Sequence, residues 1–80
     1  MIETGEHLRQ AREAMGWTPE DLARALRFSA KHGGSRILEM EADKRQLTGP
    51  VTVAVEALLR GFLPDGFTPP QAPAAKPPGR

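Results

Sequence analysis

The chain has no cysteine and no long apolar run, and each absence excludes a class of protein. Without cysteine it can form neither a disulfide framework nor a thiolate metal site. No stretch approaches the roughly twenty apolar residues of a membrane-spanning helix. The N-terminal segment also lacks the basic and then apolar order of a signal peptide. We therefore expect a soluble, cytoplasmic protein.

An excess of charge of one sign is also missing, since the formal net charge is +1. This is weak evidence against a nonspecific polycation, because the distribution of charge matters more than its sum. Residues 27–45 are mildly basic and the first third of the chain is mildly acidic. An ordinary solvated surface explains this distribution as well as a nucleic-acid surface does, so charge alone does not decide the function.

Eighty residues allow one small domain at most. From Pro64 onward the chain is too rich in Pro, Ala and Gly to pack, so we predict a folded domain over residues 1–63 and a disordered tail over residues 64–80. A core of this size is marginal and gains from oligomerisation.

Apolar residues recur at the three-to-four residue spacing of helices in four short segments, which predicts an all-α fold. Helix-capping residues set the expected boundaries. The four helices are expected to start after Thr4–Gly5, at Thr18, at about Ser35 and at Gly49–Pro50, and to end at Gly16, near Arg27, at Ala42 and at Gly61.

Two features of this pattern concern the core. Trp17 follows a capping glycine, where it is either an apolar contact of the cap or a stacking platform for a base, and the first interpretation is favoured. Arg12 and Glu41 fall on core-facing sides of their helices. Because an unpaired buried charge is costly, they are predicted to form a structural ion pair between the first and third helices.

The fourth helix is apolar over more than half of its girth and should need a second packing partner. A second copy of the chain would supply one, which predicts a dimer interface at the apolar residues off the main stripe. These residues are Val53, Ala57 and Phe62.

The segments LRQAREAMGWTPEDLARAL and RILEMEADKR resemble the lambda-repressor-like, XRE-type helix-turn-helix family over about residues 5–62. The segment GPVTVAVEALL is similar to small phage and proteobacterial members. The resemblance implies a compact bundle of four to five helices whose third helix enters the major groove of DNA, usually as a dimer on two half-sites. The pattern is carried by Leu8, Arg12, Gly16, Trp17, Leu22, Ala23, Leu26, Ile37 and Glu41.

The resemblance also implies which residues contact DNA. Arg36 would pair with guanine and Glu39 would accept a hydrogen bond from cytosine. Leu38 is either half-buried or in contact with a thymine methyl group. The implied base-reading set is Gly34, Ser35, Arg36, Leu38 and Glu39, and the implied phosphate contacts after the third helix are Lys44 and Arg45.

Two positions depart from the family pattern. Pro19 stands where the family commonly has a phosphate-contacting Gln, so that contact is either lost or passes to the Thr18 hydroxyl and the end of the helix. The connection between the second and third helices, residues 28–34, is longer than the usual three or four residues. We predict that it brings Lys31 and His32 to the DNA backbone, the alternative being a flexible solvated loop.

The leading hypothesis is a sequence-specific DNA-binding regulator, a homodimeric repressor or autorepressor from a phage or mobile element. The alternatives are an antitoxin, whose C-terminal tail would bind a protein partner, and a protein-interaction adaptor that keeps the bundle without binding DNA. The histidines are isolated and no catalytic constellation or metal-ligand spacing is present. The sequence therefore predicts no enzymatic activity, no metal and no cofactor.

Overall fold

Four α-helices form the regular structure of residues 2–70, the part of the chain that this computed structural model describes. They are α1 (Gly5–Met15), α2 (Pro19–Ala25), α3 (Gly33–Glu41) and α4 (Gly49–Leu59). No strand occurs among these residues, so the predicted all-α class is confirmed. None of the four helices is long and apolar enough to cross a membrane.

The first two helices begin where their capping residues predict, and α1 also ends at its predicted cap. Thr4 Oγ1 accepts a hydrogen bond from the His7 N–H at 3.1 Å, and Gly16 ends α1 with φ of 76°. The Thr18 hydroxyl accepts from the Asp21 N–H at 3.1 Å, while the Asp21 carboxylate accepts from the Thr18 N–H at 2.9 Å. This reciprocal capping box fixes the start of α2.

Each helix contributes one fully buried side chain to a single core. These four side chains are Leu8, Leu22, Ile37 and Val55. Trp17 is also buried, which confirms its interpretation as a core residue. The core therefore joins all four helices and holds α3 on α1 and α2.

The helix α3 begins at Gly33, two residues before the predicted start at Ser35. A Cβ atom on Gly33 would lie 2.7 Å from the Ala23 Cβ, so glycine is needed where α3 meets α2. Gly33 and Gly34, which the sequence placed in the connection before the third helix, are thus part of the helix. The preceding helix α2 ends at Ala25 rather than near Arg27, and residues 26–32 form the connection.

The predicted ion pair between Arg12 and Glu41 is present. Arg12 donates from Nε to Glu41 Oε2 at 2.6 Å and from Nη2 to Oε1 at 3.0 Å. A third donor, Nη1, reaches the Trp17 carbonyl oxygen at 3.0 Å. The hydrogen bond to Glu41 raises the pKa of Arg12 above its ordinary value. The pair fixes α3 against α1, as its placement in the sequence predicts.

Packing continues past residue 63, where the folded domain was predicted to end. The Phe67 ring meets Trp17 edge-on with ring centroids 5.4 Å apart, and the Arg24 guanidinium lies 5.3 Å from the Phe67 ring centre. The aromatic ring of Phe67 can bury more apolar surface than the neighbouring Pro and Gly residues can. Residues 71–80 of the predicted tail lie outside the described residues.

Candidate nucleic-acid interface

The outer side of α3 carries most of the residues that were predicted to read bases. Ile37 and Met40 face the core and are buried, so the other side of the helix faces solvent. Ser35 and Arg36 are exposed there, and Leu38 has half of its surface exposed. We call this exposed surface of α3 the reading face, defined by Ser35, Arg36, Leu38 and Glu39.

A shallow depression brings five of the predicted site residues together beside the reading face. They come from the N-cap of α3, from α3 itself and from the loop that follows it. The lining residues are His32, Ser35, Arg36, Glu39 and Arg45. The depression carries two guanidinium groups and one carboxylate, so pairing decides which of the two guanidinium groups keeps an unneutralised positive charge.

Arg45 reaches this depression because the chain turns back sharply after α3. Asp43 has φ of 62°, and its N–H donates to the Met40 carbonyl at 3.2 Å. Arg45 Nε then donates to Glu39 Oε1 at 2.9 Å, with both side chains about half exposed. An exposed ion pair of this kind is worth about 0–1 kcal/mol, so it opens at little cost.

Arg36 lies with its guanidinium above the ring of Phe28, its Cζ 5.1 Å from the ring centre. Within residues 2–70 it forms no ion pair with a carboxylate. The Phe28 ring also packs against the core. Its contact with Arg36 was not predicted, because no local sequence signal links the two residues.

A second groove lies on the other side of Arg36 and Arg45, between α3 and the start of α4. It is lined by Phe28, Arg36, Met40, Arg45, Gln46, Thr48 and Val51. Arg36 thus stands between two depressions, one polar and one with an apolar floor. Arg36 is exposed in this position.

Gly34 is a correction to the predicted base-reading set. It is buried, and a Cβ atom on it would lie 2.7 Å from a carboxylate oxygen of Glu20. The residue therefore faces α2 and not solvent. The side chain of Glu20, an exposed residue of α2, occupies the space beside the first turn of α3.

The other predicted contacts are exposed but do not line the depression. Lys31 and Lys44 are on the two loops that flank α3, and Thr18 is at the start of α2. The Thr18 hydroxyl already accepts the capping hydrogen bond from Asp21. The Lys31 N–H donates to Ser29 Oγ at 3.2 Å, so the connection before α3 has hydrogen bonds of its own.

A separate apolar surface lies on α4 and the turn after it. Val53 and Phe62 of the predicted dimer interface are 66% and 60% exposed, while Ala57 is half-buried. Leu59 and Leu63, which were not predicted, are also exposed. We call Val53, Leu59, Phe62 and Leu63 the α4 patch. The apolar residues of α4 are spread over more than one face of the helix. Some of them therefore lie outside the core.

No protein-family model, curated protein sequence or solved structure matches this chain. The functional argument therefore depends on the geometry of the reading face, on the basic residues around it and on the α4 patch. The reading face is held by the core and by the Arg12–Glu41 pair, which makes it a rigid element able to present side chains at fixed positions.

Proposed function

We propose that this protein is a sequence-specific DNA-binding regulator of the lambda-repressor-like helix-turn-helix type, with α3 in the major groove. The observation that carries the proposal is the state of Arg36. It is exposed on a helix held firmly by the core, and no carboxylate within the described residues neutralises it. An exposed guanidinium group without a carboxylate partner among the described residues can pair with the two acceptors of guanine.

The rest of the reading face would complete the contact with bases. Leu38 offers apolar surface to a thymine methyl group. Glu39 would accept a hydrogen bond from cytosine once Arg45 leaves it for a phosphate, and the exposure of the pair makes this exchange inexpensive. After the exchange, the Arg45 guanidinium would face a phosphate and the Glu39 carboxylate would face the amino group of cytosine.

Phosphate contacts would come from the loops that flank α3. Lys31 precedes the helix, and Lys44 and Arg45 follow it, so basic side chains lie at both ends of the reading face. Such contacts supply affinity and salt dependence, while the contacts with bases supply sequence preference. This division explains how a chain with a net charge of +1 can still bind DNA.

The α4 patch supports a homodimer as the binding unit. Two copies joined through this patch would present two reading faces, and dimers of this type bind half-sites about one helical turn apart. A dimer that occupies an operator would act as a repressor, including of its own gene.

The proposal is tested by titrating the DNA upstream of the protein's own gene at several salt concentrations, with footprinting to locate the site. Arg36→Ala should weaken binding and relax the preference at one base pair. Lys44→Ala should weaken binding to all sequences alike and reduce the salt slope by about 0.9. Arg9→Ala, which removes an arginine from α1 outside the proposed face, is the matched control and should bind as the wild type does.

A protein-interaction adaptor or antitoxin is the second candidate, and the α4 patch favours it as well. Phe62 is 60% exposed, and Leu59 and Leu63 are also exposed, so this end of α4 offers apolar side chains to a partner. Sedimentation separates the candidates: a homodimer that Phe62→Ser dissociates supports the regulator. A monomer at all concentrations, with no binding to the upstream DNA at low salt, supports the adaptor.

A further inference from the structure

The connection between α2 and α3 fixes the direction of Phe28. Arg27 has φ of 63°, and the Phe28 N–H then donates to the Ala23 carbonyl oxygen at 2.9 Å. The left-handed conformation of Arg27 and the hydrogen bond from Phe28 back to α2 together form a helix C-cap. The cap turns the chain so that Phe28 leaves α2 in the direction of α3.

The start of α3 holds Phe28 from the other side. A Cβ atom on Gly33 would lie 3.0 Å from the Phe28 Cβ, so the two backbones approach as closely as glycine allows. The Phe28 ring also packs partly buried against the core. The ring is therefore fixed relative to α3 and is not a mobile loop residue.

Arg36 follows Gly33 by three residues, so its side chain leaves α3 on the same side as Gly33. Its guanidinium lies over the fixed ring with Cζ 5.1 Å from the ring centre. Stacking uses the flat face of a guanidinium group, whereas a bidentate contact uses its edge. The two contacts are compatible, and the ring limits the conformations that an exposed arginine would otherwise sample.

We propose that Phe28 is a positioning residue for Arg36: its ring holds the guanidinium with the donor edge free, and the preference for guanine depends on this stack. The inference rests on the proposed DNA-binding function for its consequence, but not for the stack itself.

The stack is tested first in the free, full-length protein, without DNA. The ring current of Phe28 should shift the NMR signals of the Arg36 side chain upfield. Phe28→Leu should abolish this shift, and Phe28→Tyr, which keeps a ring, should retain it. Identical Arg36 signals in the wild type and in Phe28→Leu, with both folded by circular dichroism, would overturn the proposal.

The consequence is tested by the ratio of affinities for the footprinted site and for the same site with one G·C pair replaced. Phe28→Leu should lower this ratio about threefold, the loss expected for one exposed cation–π contact, and should leave the salt slope unchanged. Phe28→Tyr should restore the ratio. In an Arg36→Ala background, Phe28→Leu should have no further effect on it.

Two results distinguish the possible failures. If Phe28→Leu weakens binding to both sites equally, or weakens neither, the ratio is unchanged and the positioning role is overturned. Absence of binding at low salt, in a protein whose NMR signals show the stack, would instead overturn the proposed function and with it the role of the stack in reading guanine.

Discussion

Replacing Arg12 with alanine should destabilise the bundle strongly, because it leaves the Glu41 carboxylate buried without its partner. The Glu41 side chain is 6% exposed and that of Arg12 is 12% exposed, so water replaces few of the lost contacts. Breaking a buried ion pair from one side costs about 3–5 kcal/mol. Since the edge of this pair still touches solvent, we expect a loss of about 3 kcal/mol in the free energy of unfolding.

The measurement is urea unfolding followed by circular dichroism and by the fluorescence of Trp17. The midpoint should fall while the slope m stays constant, because the substitution does not change the surface exposed on unfolding. The melting temperature should fall by roughly 12–24 °C, at 4–8 °C per kcal/mol for a domain of this size. Arg9→Ala on the same helix is the control: its ion pairs with Glu6 and Glu13 are exposed, and it should change the midpoint far less.

A double-mutant cycle isolates the pair itself. Glu41→Ala leaves the Arg12 guanidinium with the Trp17 carbonyl as its remaining partner, and it should also destabilise the fold. The double variant should lose less than the sum of the two single variants, with a coupling energy within about 0.5–3 kcal/mol. A loss under about 0.5 kcal/mol for Arg12→Ala, as at a surface position, would refute the reasoning, and so would additive single losses.

Three further predictions concern stability and packing. Gly5→Ala should lower the free energy of unfolding, measured with urea, by about 2 kcal/mol, because its Cβ would overlap the carbonyl oxygens of the last two residues of α3. Gly49→Ala is the control, since its Cβ would meet nothing within 4 Å and should not destabilise the fold. Burial acts to raise the pKa of Asp21, but its hydrogen bonds outweigh this effect and lower the pKa below 3.8. The lowered pKa contributes stability that is present above pH 3.8 and is lost as the pH falls through the folded-state pKa, so Asp21→Asn should flatten the acid dependence of the melting temperature. Phe67→Ala should shift Trp17 emission to the red in a protein that remains folded, because Phe67 covers the indole edge-on; unchanged emission would contradict this packing.

The helix ends that were predicted correctly depend on residues close together in the chain. Gly16 supplies the left-handed residue that ends α1, and Thr18 with Asp21 supplies the complete cap of α2. Such signals act over three or four residues and need no knowledge of the tertiary structure. The Arg12–Glu41 pair was predictable for a related reason, since helical periodicity placed both charges on buried faces where each required a partner.

The features that were missed depend on contacts between distant parts of the chain. Gly33 and Gly34 signal a loop by local rules, but both lie inside α3, and the close approach of α2 requires glycine at position 33. The ion pair of Arg45 with Glu39 depends on the turn after α3. The packing of Phe67 depends on the distant Trp17. In each case the partner is set by the fold, which a local pattern does not contain.

The geometry of the reading face comes from two turns built in the same way. Arg27 after α2 and Asp43 after α3 both have left-handed backbone conformations, which cost a residue with a side chain about 1 kcal/mol or more. The first turn delivers Phe28 beneath the Arg36 guanidinium, and the second returns Arg45 toward α3. The core can hold such strained residues only because it fixes both helix ends. The charge available at the reading face is therefore set by the packing of the bundle as much as by the residues of α3 themselves.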